Sequence, residues 1–371
     1  MDVTKLFPAF SQETGLIVIA LYAIFVFWLT SWFAKGFNKD KESFLVANRQ
    51  LGFWQGSMST GASWIWAPGL FVAAQQAFNN GIAGLFWFSF GNFLALMAFS
   101  FGAKKIREEN PNGFTLSSWF HSKYGRLVQW VVFAAAFLYT LQGMTINLYA
   151  GSRSVQFLTG LNPLWVSVML VGIALVYSWR GGQKATVATD LVKIGVIWAV
   201  LLTVGISVFG TIGFQPVLDG IGGKSGQGVA LWGDAFTNGL LLGFGIPTVL
   251  GHFATPWTDN ATYQNAFSIE KKDVQKAFIM GPIYWTILPI VGGMLGLAAA
   301  GMKYDVSGPT TQFINLIVMA NTVGIWLALL YLTVVFAGLV SIVDTQMIGA
   351  ANLVGNDVHD ELCETSASVN G

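Results

Sequence analysis

The chain has 371 residues, 54% of them hydrophobic and only 10% charged, with a formal net charge of +1. A soluble domain carries about 25% charged residues, so composition excludes an ordinary water-soluble fold, and the near-zero net charge gives no sign of a nucleic-acid partner. The lone cysteine, Cys363, excludes an internal disulfide and fits no metal-ligand spacing.

The start, MDVTKLFPAFSQE, lacks the basic opening and small-residue cleavage site of a signal peptide, so the first apolar segment is expected to remain as a span. A bilayer core takes about 20 apolar residues per helix. Windows of that length predict an all-α membrane protein of about nine transmembrane helices, near 14–34, 52–78, 82–103, 127–151, 162–179, 185–210, 235–255, 277–301 and 324–354. With the N-terminus outside, fifteen of the 19 Lys and Arg fall on the cytoplasmic side: Lys35, Lys39, Lys41, Arg49, Lys104, Lys105, Arg107, Lys123, Arg126, Arg180, Lys184, Lys193, Lys271, Lys272 and Lys276. Only Lys5, Arg153, Lys224 and Lys303 face out. That is the positive-inside asymmetry of a multi-pass protein in a cell membrane, with its C-terminus cytoplasmic.

Two of the spans are irregular. The second, GSMSTGASWIWAPGLFVAA, crowds Ser57, Ser59, Thr60, Gly61, Ser63, Pro68 and Gly69 together, and the seventh carries GFGIP from Gly243 to Pro247. Proline removes a donor and glycine weakens a helix, so both predict breaks, which hydrocarbon tolerates only where the freed carbonyls meet protein, water or an ion. A pair of interrupted helices is the pattern of inverted-repeat transporters. The plain alternative is that Gly and Pro are simply more frequent in membrane helices.

The sixth span opens on Asp190, which caps its own helix or serves a cation, with Lys193 three residues on as a pairing partner. The ninth places Ser341, Asp344 and Thr345 on one helical face at membrane depth. An acid there costs at least ~2.5 kcal/mol and is retained for a cavity, an ion or a polar partner. Against that, Ser and Thr commonly bond back to the carbonyl four residues earlier, and Asp344 can simply join two helices. Polar and aromatic candidates for a solute cavity are Trp64, Gln75, Trp87, Asn92, Gln142 and Asn238, with Gln76, Asn147, Trp66 and Tyr139 beside them. His252 reads as a structural histidine. No nucleotide loop, metal-protease helix or nucleophile motif appears, so an enzyme is not expected.

Several segments in order, SFLVANRQLGFWQGSMSTGAS, KATVATDLVK, TPWTDNATYQNAFSIEKKDVQKAF and AGLVSIVDTQMIGAANLVGNDV, resemble the sodium:solute symporters. The third of these is similar to that family's cytoplasmic loop after the sixth core helix. The resemblance implies an extra N-terminal helix followed by two inverted five-helix repeats, the first at about 50–210 and an incomplete second at about 233–358, within a core of 1–358 and before a polar tail of 359–371. It also implies a co-transported sodium ion held by the carbonyls of Ala62, Ile65 and Gly338 and the hydroxyl of Ser341, with Asp190 on an inner route or second ion site. The family usually has two adjacent hydroxyls there, whereas Ile342 follows Ser341, so Asp344 or Thr345 is expected to compensate. Gly69 and Phe88 stand where sugar-carrying relatives have polar ligands, which argues against a sugar. The expected activity is sodium-coupled import of a small polar solute of amino acid, carboxylate, amine or urea type across the lipid bilayer. Two further helices are expected after the ninth span, so the chain reads as C-terminally truncated or as completed by a second chain. A solute-sensing module without transport is the alternative.

Overall fold

The computed structural model describes residues 4–33, 40–229 and 239–359, and among them no strand forms beyond a single bridge between Leu51 and Ile269. Among the described residues, six helical stretches are long and apolar enough to cross a bilayer: Gln12–Trp32, Ala67–Glu109, Arg126–Thr159, Gly182–Ile212, Val274–Gly301 and Ile325–Val358, with Pro163–Val176 shorter. The second, fifth and seventh predicted spans are thus built from shorter or interrupted pieces. Large apolar side chains such as Leu21, Ile24 and Trp28, or Leu127, Val131 and Leu138, stand exposed along these helices, the surface of a multi-pass membrane protein.

In chain order, α1 (Gln12–Phe33) leads to the short α2 (Lys41–Val46) and then α3 (Phe53–Ala62). After a non-helical stretch comes α4 (Ala67–Glu109), which turns at Gly81, where φ is +63°. A side chain there would run into the Ile221 carbonyl, and the same carbonyl accepts from Ile82 N–H at 2.9 Å. Glycine is what lets the 213–229 loop cap the second arm of α4. Next come α5 (Leu116–Tyr124), α6 (Arg126–Thr159), α7 (Pro163–Ile212), which turns at Gly182, and α8 (Gln215–Asp219).

The seventh predicted span departs from expectation. Leu241–Gly245 forms a wide π turn that runs directly into α9 (Ile246–Thr258), so GFGIP does not unwind. Pro247 follows directly on the π turn, and the backbone stays helical through it. The break comes instead at Asp259, whose backbone is extended (φ −87°, ψ 105°), before α10 (Asn260–Ser268). Asn260–Ser268, within the segment expected as a cytoplasmic loop, therefore forms a helix, and every residue of that helix is buried. Its polar side chains find partners: Gln264 Nε2 donates to Leu45 O and Asn260 Nδ2 to Gly349 O. The chain ends with α11 (Val274–Trp285), α12 (Ile287–Gly301), α13 (Ile314–Thr322) and α14 (Ile325–Leu353).

The loops assigned to the cytoplasm by charge gather at one end. Leu51 exchanges backbone bonds with Ser268 and Glu270, Arg107 Nε reaches Ile269 O, Arg49 Nη1 reaches Gly113 O, and Thr115 Oγ1 donates to Asp357. At the opposite end the Lys224 ammonium donates to Val306 O. Between the ends, α14 lies against α6 and α7, while α3, α4 and α10 cross it through the middle.

Candidate functional site

The second predicted span does break. After Ala62 the chain tightens, with Trp64 N–H on Gly61 O and Ile65 N–H on Ala62 O, and Trp66 is then extended (φ −96°, ψ 148°) before Pro68 starts the next helix. The restart needs a cap, and Asn147 of α6 supplies it by accepting from Ala67 N–H at 2.8 Å. Replacing Asn147 with Leu removes that acceptor and orphans a buried donor, at a cost of about 1–3 kcal/mol. The expected result is a lower melting temperature of the purified protein.

The two breaks, at 63–66 and at Asp259, face one another across a cavity of about 420 Å³. Its walls are Ser63, Trp64 and Trp66 from the first break, Tyr139, Gln142 and Asn147 from α6, His252 and Asp259 from the α9 side, and Ile342 and Gln346 from α14. Asp259 caps α10 by accepting from Ala261 N–H at 3.1 Å and Thr262 Oγ1 at 2.7 Å, and it also accepts from Gln346 Nε2 at 3.0 Å. Among the described residues it has no ion-pair partner. Three buried polar atoms on this wall lack a protein partner: Gln346 Oε1, Trp64 Nε1 and His252 Nδ1. The cavity is thus lined by an acidic residue and several polar residues on an aromatic frame.

A second cluster lies behind it. Asp190 accepts from Ser59 Oγ of α3 at 3.0 Å and from Ser341 Oγ of α14 at 2.7 Å. Lys193 donates to Asp344 Oδ2 at 2.9 Å and stands 3.5 Å from Asp190 Oδ1. Thr345 Oγ1 bonds back to Ser341 O at 2.7 Å, the plain alternative for that residue, and lies 3.3 Å from Asp344. All six side chains are at most 4% exposed. Just above, Gly338 faces the first break so closely that a β-carbon there would lie 3.0 Å from the Ile65 carbonyl.

Ala62, Ile65, Gly338, Ser341, Asp344, Thr345 and Asp190 are therefore brought to one seam between α3, α7 and α14, and the Ala62 carbonyl is taken by Ile65 N–H. Of the expected cavity residues, Trp64 and Gln142 line the space. Gln75, Trp87 and Asn92 do not. Gln75 donates to Thr311 Oγ1 in the 308–313 turn, Trp87 packs its indole on the side-chain-free face of Gly245, and Asn92 bonds to Phe88 O and sits 3.5 Å behind His252. Asn238 lies outside the described residues. Asp259 and Gln346 were missed by sequence reasoning. The signal was an Asp-Asn-Ala-Thr run after Thr258, a helix-capping pattern overshadowed by the loop-like resemblance. His252, read as structural, lines the cavity.

Residues 44–369 match the sodium:solute symporter family. The chain belongs to that family. Among similar proteins, the probable urea active transporter 1 of Schizosaccharomyces pombe is 25% identical over 82% of this chain and 48% of its own length, and the urea-proton symporter DUR3 of Oryza sativa subsp. japonica is 22% identical over 97% and 55%. The chain spans about half the length of these curated relatives. A Na+-coupled sialic acid symporter solved in a substrate-bound, outward-open state superposes with a TM-score of 0.74 at 15% identity, covering 94% of this chain and 74% of that one, a likeness of fold. As a sodium:solute symporter family member the chain is of a transporter family and not an enzyme family.

Proposed function

We propose that the chain forms the transport core of a cation-coupled symporter that carries a small nitrogenous solute, of which urea is the simplest, inward by alternating access. The observation that carries this reading is Asp259, a buried acidic residue of the cavity wall with no ion-pair partner among the described residues. A solute with N–H donors answers it. A carboxylate solute would meet like charge, which narrows the range expected from sequence toward urea and amines. The urea transporters among the similar proteins support the same choice.

The coupling cation is read as sodium, held by oxygens of the first break and of α14 with Asp190 as the anionic ligand, since a hard cation takes carbonyl, hydroxyl and carboxylate oxygens. Asp190 then fills the place left by Ile342, whose side chain faces the cavity. Coupling follows from shared elements. Ser59, Ala62 and Ile65 belong to the ion seam while Ser63, Trp64 and Trp66 belong to the cavity, and on α14 Ser341 and Thr345 face the seam while Ile342 and Gln346 face the solute. An ion that orders the break also orders the cavity wall. The repeats fall at about 50–210 and 233–358, with the N-terminus outside.

Uptake of labelled urea, a primary amine, proline and acetate into proteoliposomes, under a sodium gradient, a proton gradient or neither, tests the reading. Urea or amine uptake that rises with the sodium gradient is expected. Uptake that follows only protons removes sodium, and uptake indifferent to both means a passive channel. Ser341→Ala removes one neutral ligand, worth about 1 kcal/mol. A roughly fivefold rise in the sodium concentration for half-maximal uptake is expected, and an unchanged value takes Ser341 out of the ion site.

A further inference from the structure

Lys193 puts a positive charge where a cation is to bind. Its ammonium lies 2.9 Å from one carboxylate and 3.5 Å from another, and all three groups are buried. A buried ion pair gains little over a well-packed apolar pair once desolvation is counted, so stability is a weak reason to keep one here. The charges themselves suggest a better reason. With both acids ionised, Asp190, Asp344 and Lys193 sum to −1, and an uncompensated interior charge is costly. One monovalent cation balances the cluster, and two overshoot it.

The hydroxyls agree with that count. Ser59 and Ser341 direct their protons at Asp190, which leaves their oxygen lone pairs for a cation beside the same carboxylate. Asp344 is the acid that Lys193 holds more closely. The division of labour is one acid for the mobile ion and one for the fixed ammonium.

We infer that Lys193 acts as a tethered second cation that occupies the position of one ion beside Asp344 and so limits the cluster to a single sodium per transport cycle. The inference rests on the proposed ion role of Asp190 and Ser341 and adds to it the stoichiometry and the residue that sets it. For an uncharged solute, one net positive charge then crosses the membrane per cycle.

Binding of radiolabelled sodium to the purified full chain in detergent, counted per chain, tests this apart from transport. The parent is expected to bind about one ion with a Hill coefficient near 1, and Lys193→Met about two with a coefficient rising toward 2, because a Hill coefficient is bounded by the number of sites. In Lys193→Met/Asp344→Asn the charge returns to −1 and the count returns to one. Two ions in the parent, or one ion at unchanged affinity in Lys193→Met, overturns the inference. If Lys193→Met does not fold, the double variant decides: it must fold and bind one ion, and an unfolded or empty double variant is an equally clear refutation. A parent that binds no sodium at all is a different failure, that of the sodium reading itself, and the inference goes with it.

Discussion

Asp259→Asn is expected to lower the apparent affinity for the solute by roughly 10- to 100-fold while leaving the protein folded. The size follows from replacing a charge-assisted hydrogen bond, worth about 1.5–3 kcal/mol, by a weaker neutral one. Folding should survive because the amide oxygen keeps the bond from Ala261 N–H, while the NH2 that replaces the second carboxylate oxygen can donate to Thr262 Oγ1. Gln346 Nε2 donates to the same oxygen as Ala261 N–H and keeps its bond when that oxygen is retained. The substitution therefore leaves the wall intact and removes its charge. The measurement is concentration-dependent uptake of labelled urea in proteoliposomes, alongside a size-exclusion profile of the purified variant. A parent-like half-saturation in a well-folded variant would reduce Asp259 to a helix cap and leave the solute reading without its main support.

Asp190→Asn is expected to abolish the dependence of uptake on sodium. Asp190 joins three helices, accepting from Ser59 and Ser341 and standing 3.5 Å from Lys193. An amide of the same shape can still accept from one hydroxyl, so the packing survives, but the cluster becomes a neutral Lys193–Asp344 pair. Two unit charges about 4 Å apart attract by about 4 kcal/mol at an effective dielectric constant near 20, so losing that attraction should weaken sodium binding at least about a hundredfold. The contrast with Ser341→Ala, where one neutral ligand is lost, is the useful part of the test. Uptake against sodium concentration for the two variants separates them. Equal, small effects in both would mean that the charge of Asp190 plays no part in holding the cation and that it is only a buried junction.

The membrane class, the approximate spans and the break after Ala62 were legible in the chain itself. Apolar length, the distribution of lysine and arginine, and a proline placed after a serine- and glycine-rich run are local properties, and the backbone obeys them wherever the neighbours stand. The common face of Ser341, Asp344 and Thr345 and the closeness of Asp190 to Lys193 are also local, since helical spacing fixes them. What the helix faces meet is different. Gln75, Trp87 and Asn92 look like cavity residues by type, yet they point to the 308–313 turn, to Gly245 and behind His252. GFGIP looks like a break, but a wide turn absorbs it, and the break falls at Asp259, where an extended backbone is stabilised by a cap and by Gln346 from a helix 87 residues away. Lys193 meets Asp344 across a separation of 151 residues. Sequence determined the membrane class, six of the apolar helices and the place where the chain gives way after Ala62, because these follow from neighbouring residues. Only the tertiary structure decided which buried charges face one another and which walls enclose a solute, because those depend on how far each helix is turned about its own axis.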